Sequence, residues 1–190
     1  MIEWPNDYRR LQVTGLLHRL TNSDDPIDIW DAEFLPEGKI DSFERLGDQK
    51  VEISPFAITG GGHYWAYLAD SLPESDIVLC YRDSYEAEYY SRSIQDFIFK
   101  RTVEFAGNEE LGDSSGWTQD TAKEAVSLVC SGFADILSRE MLVELRSIAN
   151  TVSAHSINGW TTLISESKAK EIIERLAPMK REDAIFEWRG

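Results

Sequence analysis

The stretch SPFAITGGGHYWAYLAD, residues 54–70, sets three consecutive glycines between two runs of aromatic and aliphatic residues. A glycine cluster beside a histidine has three readings: a phosphate cradle, the rim of an active site, or a tight turn. A P-loop needs G-x-x-x-x-G-K-[ST] with its lysine, whereas Gly60-Gly61-Gly62 runs directly into His63-Tyr64-Trp65. A dinucleotide fingerprint needs G-x-G-x-x-G between a strand and a helix, and here the runs on both sides are β-type. Access to positive φ is what a tight hairpin demands of glycine. The stretch predicts a hairpin.

Working outward, VEISPFAI (51–58), HYWAYLA (63–69), DIVLCYR (76–82) and AEYYS (87–91) are rich in Val, Ile, Tyr, Phe and Trp and are joined by short polar turns. Such runs predict an antiparallel meander. SIQDFIFKRTVEFA follows with Ser93 at an N-cap position and Asp96 in the first turn, which predicts a helix covering one face of the sheet. Towards the N-terminus, residues 5–21 space Tyr8, Leu11, Leu16, Leu17 and Leu20 as a helix does. IDIWDAEFL reads as an edge strand, and PEGKIDSFERLGDQK as a polar connector with room for one short helix.

Beyond residue 106, GNEELGDSSGW (107–117) is polar, glycine-bearing and aperiodic, which marks a linker. Residues 118–149 carry a helical stripe from Ala122 through Val126, Val129, Phe133 and Ile136, continued by Leu137, Met141, Leu145 and Ile148. A helix of that length is unusual, so a break is expected near Ser138. Asn158-Gly159 stands between β-prone runs, a strong hairpin signal. SESKAKEIIERLAP then reads as a capped helix stopped by Pro178.

The chain has 190 residues and a formal net charge of −15. Most of the excess lies early: residues 1–60 and 61–110 each carry −6, and residues 111–190 carry −3. A field of this sign repels nucleic acid and anionic membranes, and it draws in a basic partner. Solubility alone is the plainer account of the same charge. No apolar run approaches a membrane span, the N-terminus has no signal-like core, and Cys80 and Cys130 sit in apolar surroundings as reduced thiols do. These features predict a soluble, cytoplasmic protein.

His18, His63 and His155 lie outside metal-ligand spacing of one another and of the cysteines, so neither a metal nor another cofactor is expected. Cys80 and His63 fall on adjacent predicted strands, where a thiol–imidazole pair is conceivable. Nothing in the sequence supplies a third orienting group, and Cys80 in IVLCY reads as a small core hydrophobe. No catalytic residue is assigned. The segment YRDSYEAEYY brings Asp83, Glu86 and Glu88 together with Tyr85 and Tyr89, the composition of a surface facing a basic protein. The alternative is a solvated turn whose tyrosines fill the sheet. Asp70, Glu74 and Asp76, on the preceding turn, are second candidates for the same contact. The six tryptophans read as core.

From PFAITGGGHYWAYLA through IVLCYRD to SRSIQDFIFK, the order of features resembles the SMI1/KNR4 family of the SUKH superfamily. Phe56, Gly61, Gly62, Trp65, Tyr81, Ser93 and Phe97 stand at the family's characteristic places, and the match covers residues 50–106. His63 stands where the family commonly has an acidic residue. The resemblance implies an α+β fold, a mainly antiparallel sheet of four or more strands flanked by helices, occupying residues 1–106. The resemblance leaves 107–190 unexplained; there the periodicity predicts that residues 118–190 form a mainly helical C-terminal extension packed on the first part. The resemblance also implies a non-enzymatic protein-binding domain, in bacteria an immunity protein that neutralises a cognate toxin domain of a polymorphic or contact-dependent toxin system. A basic nuclease toxin would suit the charge. A regulatory scaffold without a toxin partner is the other reading the family allows, and a small enzyme using His63 or Cys80 stands behind both.

Overall fold

A computed structural model of the chain describes residues 6–13, 29–35, 51, 53–68, 76–108, 117–152, 155–157, 160–179 and 185–188. In chain order these form α1 (Asn6–Val13), β1 (Glu33–Phe34), β2 (Ile53–Ile58), β3 (Tyr64–Leu68), β4 (Ile77–Cys80) and β5 (Glu86–Ser91). Then come α2 (Ile94–Gly107), α3 (Gln119–Gly132), α4 (Arg139–Ala149), β6 (His155–Ile157), β7 (Trp160–Thr162), α5 (Glu166–Leu176) and β8 (Ile185–Glu187). The fold is α+β. The chain divides into two compact units, Met1–Phe97 with Met179–Gly190, and Ile98–Pro178.

The first unit is a six-stranded sheet in the order β1-β2-β3-β4-β5-β8, antiparallel throughout. The meander read from the sequence forms its middle. Pro55 lies inside β2, where a missing N–H would normally break a ladder. The register slips between Pro55 and Ala57, and a bulge is where a strand tolerates proline. On one face, Phe97 from the first turn of α2 meets the rings of Phe34, Phe56, Trp65 and Tyr90 at centroid separations of 6.5, 5.5, 5.0 and 5.7 Å. Tyr8 of α1 joins this layer against Phe56 and Tyr67. The other face holds Ile53, Ala66, Leu68, Val78, Cys80, Ala87 and Trp188. Both faces of the central strands are thus buried, which is why β2 and β3 read as continuous apolar runs rather than alternating ones.

The glycine cluster is the turn of the β2–β3 hairpin. The Thr59 N–H donates to the His63 carbonyl (2.9 Å), and the Gly62 N–H donates to the Thr59 carbonyl (2.8 Å). The His63 N–H donates to the Thr59 hydroxyl (3.0 Å), and the Gly60 N–H to the Asp31 carboxylate (2.7 Å). A phosphate cradle needs backbone N–H groups to spare, and here those of Gly60, Gly62 and His63 are spent within the protein. Gly62 has φ +79°, the left-handed conformation that only glycine adopts cheaply. Asp31 itself has φ +46°, and of the expected 27–35 strand the described residues 29–35 form β1 at Glu33–Phe34 alone, with 27–28 outside the described residues.

In the second unit, α3 and α4 carry the stripe read from the sequence, with the break at the expected place. Ser138 caps α4, its hydroxyl accepting from the Met141 N–H at 3.2 Å. Ile157 pairs with Trp160, the register a two-residue hairpin loop requires, while Asn158 and Gly159 lie outside the described residues. The Ala106 carbonyl near the end of α2 accepts from the N–H groups of Leu163 (2.9 Å) and Ile164 (3.1 Å). Gly107 lets α5 approach so closely that a Cβ there would stand 2.8 Å from the Ala169 Cβ.

The division of the chain differs from the sequence reading of 1–106, 107–117 and 118–190. Residues 109–116 of the expected linker lie outside the described residues, as do 14–21 of the first helix and the 36–50 connector. The units meet in the chain inside α2, and the chain returns to the first unit at Met179. The described residues of 118–190 are mainly helical through α3, α4 and α5, as the sequence reading has it, and they also supply β8, which completes the sheet by pairing Ile185, Phe186 and Glu187 with Glu88, Ala87 and Glu86 of β5.

Candidate acidic interface on the first unit

The segment joining β4 to β5 is a tight turn. The Tyr81 N–H donates to the Glu86 carbonyl (3.1 Å), and the Glu86 N–H to the Ser84 hydroxyl (3.1 Å). Such a turn points its intervening side chains outward. Asp83 and Glu86 are exposed, and Tyr85 keeps 61% of its surface in solvent. From the other end of the chain, the Trp188 N–H donates to the Tyr85 carbonyl at 2.8 Å, which fixes the base of the turn to β8.

Glu88 is half-buried and accepts the Tyr81 hydroxyl at 3.0 Å. Partial burial, with the hydrogen bond and charge of Glu88 and the charge of Glu86, pushes the Tyr81 phenol above its ordinary range. Strand pairing adds an acid that the local sequence did not offer: Glu187 of β8 lies directly opposite Glu86. Like charges so placed repel each other.

The structure gathers some of the residues singled out and separates others. Asp83, Tyr85, Glu86 and Glu88 share the β4–β5 turn and the start of β5. Alternation along β5 turns Tyr89 to the opposite face, where its ring packs on Phe186 at 4.7 Å. Asp76 precedes β4 at the end remote from the turn, its carbonyl accepting from the Leu68 N–H, so it does not join the cluster. Asp70 and Glu74 lie outside the described residues. Glu187 could not be found from local signals, since it is brought in by a pairing about a hundred residues away.

Cys80 and His63 are not hydrogen-bonded to each other. Cys80 stands opposite Tyr64 and Ala87 inside the apolar cluster, and burial pushes its thiol up to about 12. His63 turns instead to the other hairpin end. Its Nδ1 accepts the Arg82 N–H at 3.2 Å, and its ring meets Tyr81 edge-on at 5.3 Å. Among the described residues no group of three or more His, Cys, Asp or Glu is placed to hold a metal ion, and no helix is long and apolar enough to cross a membrane.

In the second unit a shallow groove of about 240 Å³ is lined by Ser127, Cys130, Ser131, Arg146, Ala149 and Asn150. Its serine hydroxyls donate to the Lys123 and Leu128 carbonyls, and Arg146 stands in the last turn of α4, where a cation complements the helix dipole. The groove is thereby accounted for by helix chemistry. In comparisons with known proteins, no family model, curated protein or solved structure matches the chain.

Proposed function

We propose that the protein is a non-enzymatic binding domain of the SMI1/KNR4 type, an immunity protein that acts in the cytoplasm by holding a basic toxin domain. The observation that carries this reading is the exposed turn after β4, where Tyr85 projects among Asp83, Glu86 and Glu88. Tyrosine supplies rigid contact area at low entropic cost, and the acids around it select a cationic partner. Glu187, which strand pairing sets opposite Glu86, adds a further acid to the face that would meet a cationic partner. A net charge of −15 steers such a partner from distances near the Debye length. A nuclease toxin is the best match, since its cleft for nucleic acid is basic.

The test uses the C-terminal domain encoded by the gene directly upstream, where a cognate toxin gene would lie. The two products are expected to co-purify, with association that slows as salt rises. Changing Asp83, Glu86 and Glu88 together to Lys is expected to slow association and raise Kd at least about tenfold, roughly 1.4 kcal/mol. Cys80→Ala is expected to leave cell protection intact. Binding indifferent to salt, or an on-rate unchanged by the triple substitution, places the interface elsewhere. Loss of protection in a folded Cys80→Ala protein would reinstate the enzyme reading.

A further inference from the structure

We propose that the sheet face formed by β4, β5 and β8 docks an arginine presented by a protein partner, with Glu88 as the anchor of its guanidinium. Strand register sets the residues of this face in two rows. Trp65, Leu79, Glu88 and Ile185 stand opposite one another across β3, β4, β5 and β8, and Tyr81, Glu86 and Glu187 form the next row. Alternation keeps Cys80, Ala87 and Phe186 on the opposite face. The aromatic layer beneath Phe97 runs out along the first row. Trp65 is 2% exposed, Leu79 and Glu88 are half-buried, and Ile185 keeps 59% of its surface in solvent.

Glu88 is thus a carboxylate set between two aliphatic side chains. The Tyr81 hydroxyl donates to its Oε2 at 3.0 Å, which orients the group and leaves Oε1 open. Among the described residues neither Glu88 nor Glu86 pairs with a cation. Glu88 has therefore given up part of its hydration without the ion pair that would offset the loss. Arginine fits this arrangement better than lysine. Its stem covers aliphatic surface such as Leu79 and Ile185 while its head stays at the polar rim. Glu86 and Glu88 lie two residues apart on one face of β5, about 7 Å, a gap that a planar fork of five N–H donors bridges more readily than a compact ammonium. Tyr81, beside both acids, offers a ring on which a guanidinium stacks. A second copy of this chain is the poorer occupant, since molecules of net charge −15 repel each other.

That the arginine belongs to a toxin domain rests on the function proposed above, whereas the face itself is tested on the free protein. The probe is N-acetyl-arginine methylamide, with the lysine and citrulline analogues as controls, titrated into protein carrying labelled Leu and Ile methyl groups. The Leu79 and Ile185 methyl resonances are expected to shift and saturate in the millimolar range with the arginine probe. The uncharged citrulline probe is expected to shift neither, and the lysine probe to bind more weakly. Glu88→Gln keeps an acceptor for Tyr81 and is expected to weaken the arginine probe about two- to fivefold, the range of a partly exposed ion pair. Ile185→Ser is expected to weaken it too, and Asp83→Asn to leave it unchanged. Equal binding of the lysine probe, an unaffected Glu88→Gln, or shifts that miss Leu79 and Ile185 would each overturn the proposal. Self-association of the protein that Ile185→Ser abolishes would give the face to a second copy and overturn it as well. Should the expected shifts appear while the domain encoded upstream fails to bind, the face stands and the immunity reading falls.

Discussion

Replacing Gly107 by alanine tests the closest approach in the second unit. The new methyl group would stand 2.8 Å from the Ala169 Cβ, whereas carbons in contact rest near 3.5–4.0 Å, so about 1 Å has to be found. Neither atom can rotate away, because each Cβ is set by its own backbone. The next neighbours are also backbone, the Ser165 carbonyl oxygen at 3.6 Å and Glu166 Cα at 3.8 Å. The end of α2 is tied down as well, through the bonds from Leu163 and Ile164 to the Ala106 carbonyl. Either α5 shifts as a body or the last turn of α2 opens. Overpacking of this kind costs about 1–3 kcal/mol. Against it, alanine in a helix gains about 0.5–1 kcal/mol over glycine. The net expectation is a loss of about 1–2 kcal/mol, a Tm lower by about 2–8 °C for a chain of this length. Urea and thermal unfolding of Gly107→Ala, Ala169→Gly and the double variant form the assay. The double variant is expected to recover at least about 1 kcal/mol relative to the sum of the singles. A Gly107→Ala protein as stable as wild type, or a cycle without coupling, refutes the steric reasoning.

Phe97→Ala empties the centre of the aromatic layer formed with Phe34, Phe56, Trp65 and Tyr90, and a loss of about 3–5 kcal/mol with a collapsed near-ultraviolet dichroism signal is expected. Gly62→Ala forces a side chain into φ +79° and against Arg82, costing about 1–2 kcal/mol by denaturant titration; a neutral result would mean the turn has other conformations within reach. Cys80 gives a pH dependence at the alkaline end. Its folded-state thiol titrates near 12 against an ordinary value of 9.0, so both states are protonated below about pH 9 and the thiol has no effect there. As pH rises from 9 towards 12 only the unfolded chain releases the proton, and stability falls by about 1.4 kcal/mol per pH unit from this group. Cys80→Ala is expected to remove that component, seen as a shallower loss of urea stability between about pH 9 and 10.5; identical slopes would show the thiol is not buried as described.

The sequence by itself determined the elements whose signals are local. The glycine turn with its flanking runs specified the β2–β3 hairpin, because a short loop and two β-prone segments leave little else to form. Ser93 and Ser165 marked helix starts through hydroxyls that accept N–H bonds within one turn, the length of the 118–149 stripe marked a break near Ser138, and Asn158-Gly159 marked a hairpin by its tolerance of positive φ. The acid and tyrosine of the β4–β5 turn were legible for the same reason. What only the tertiary structure decided is what is joined across long loops. Nothing near residues 185–187 says that they pair with β5, that Trp188 fills the sheet's second face, or that Glu187 comes to rest opposite Glu86. Nor does the sequence around Asp31 say that its carboxylate ties down Gly60. A strand's partner is chosen by complementary faces and open edges anywhere in the chain, and the entropy of closing a loop grows only slowly with its length, so sequence distance gives almost no guidance to such pairings.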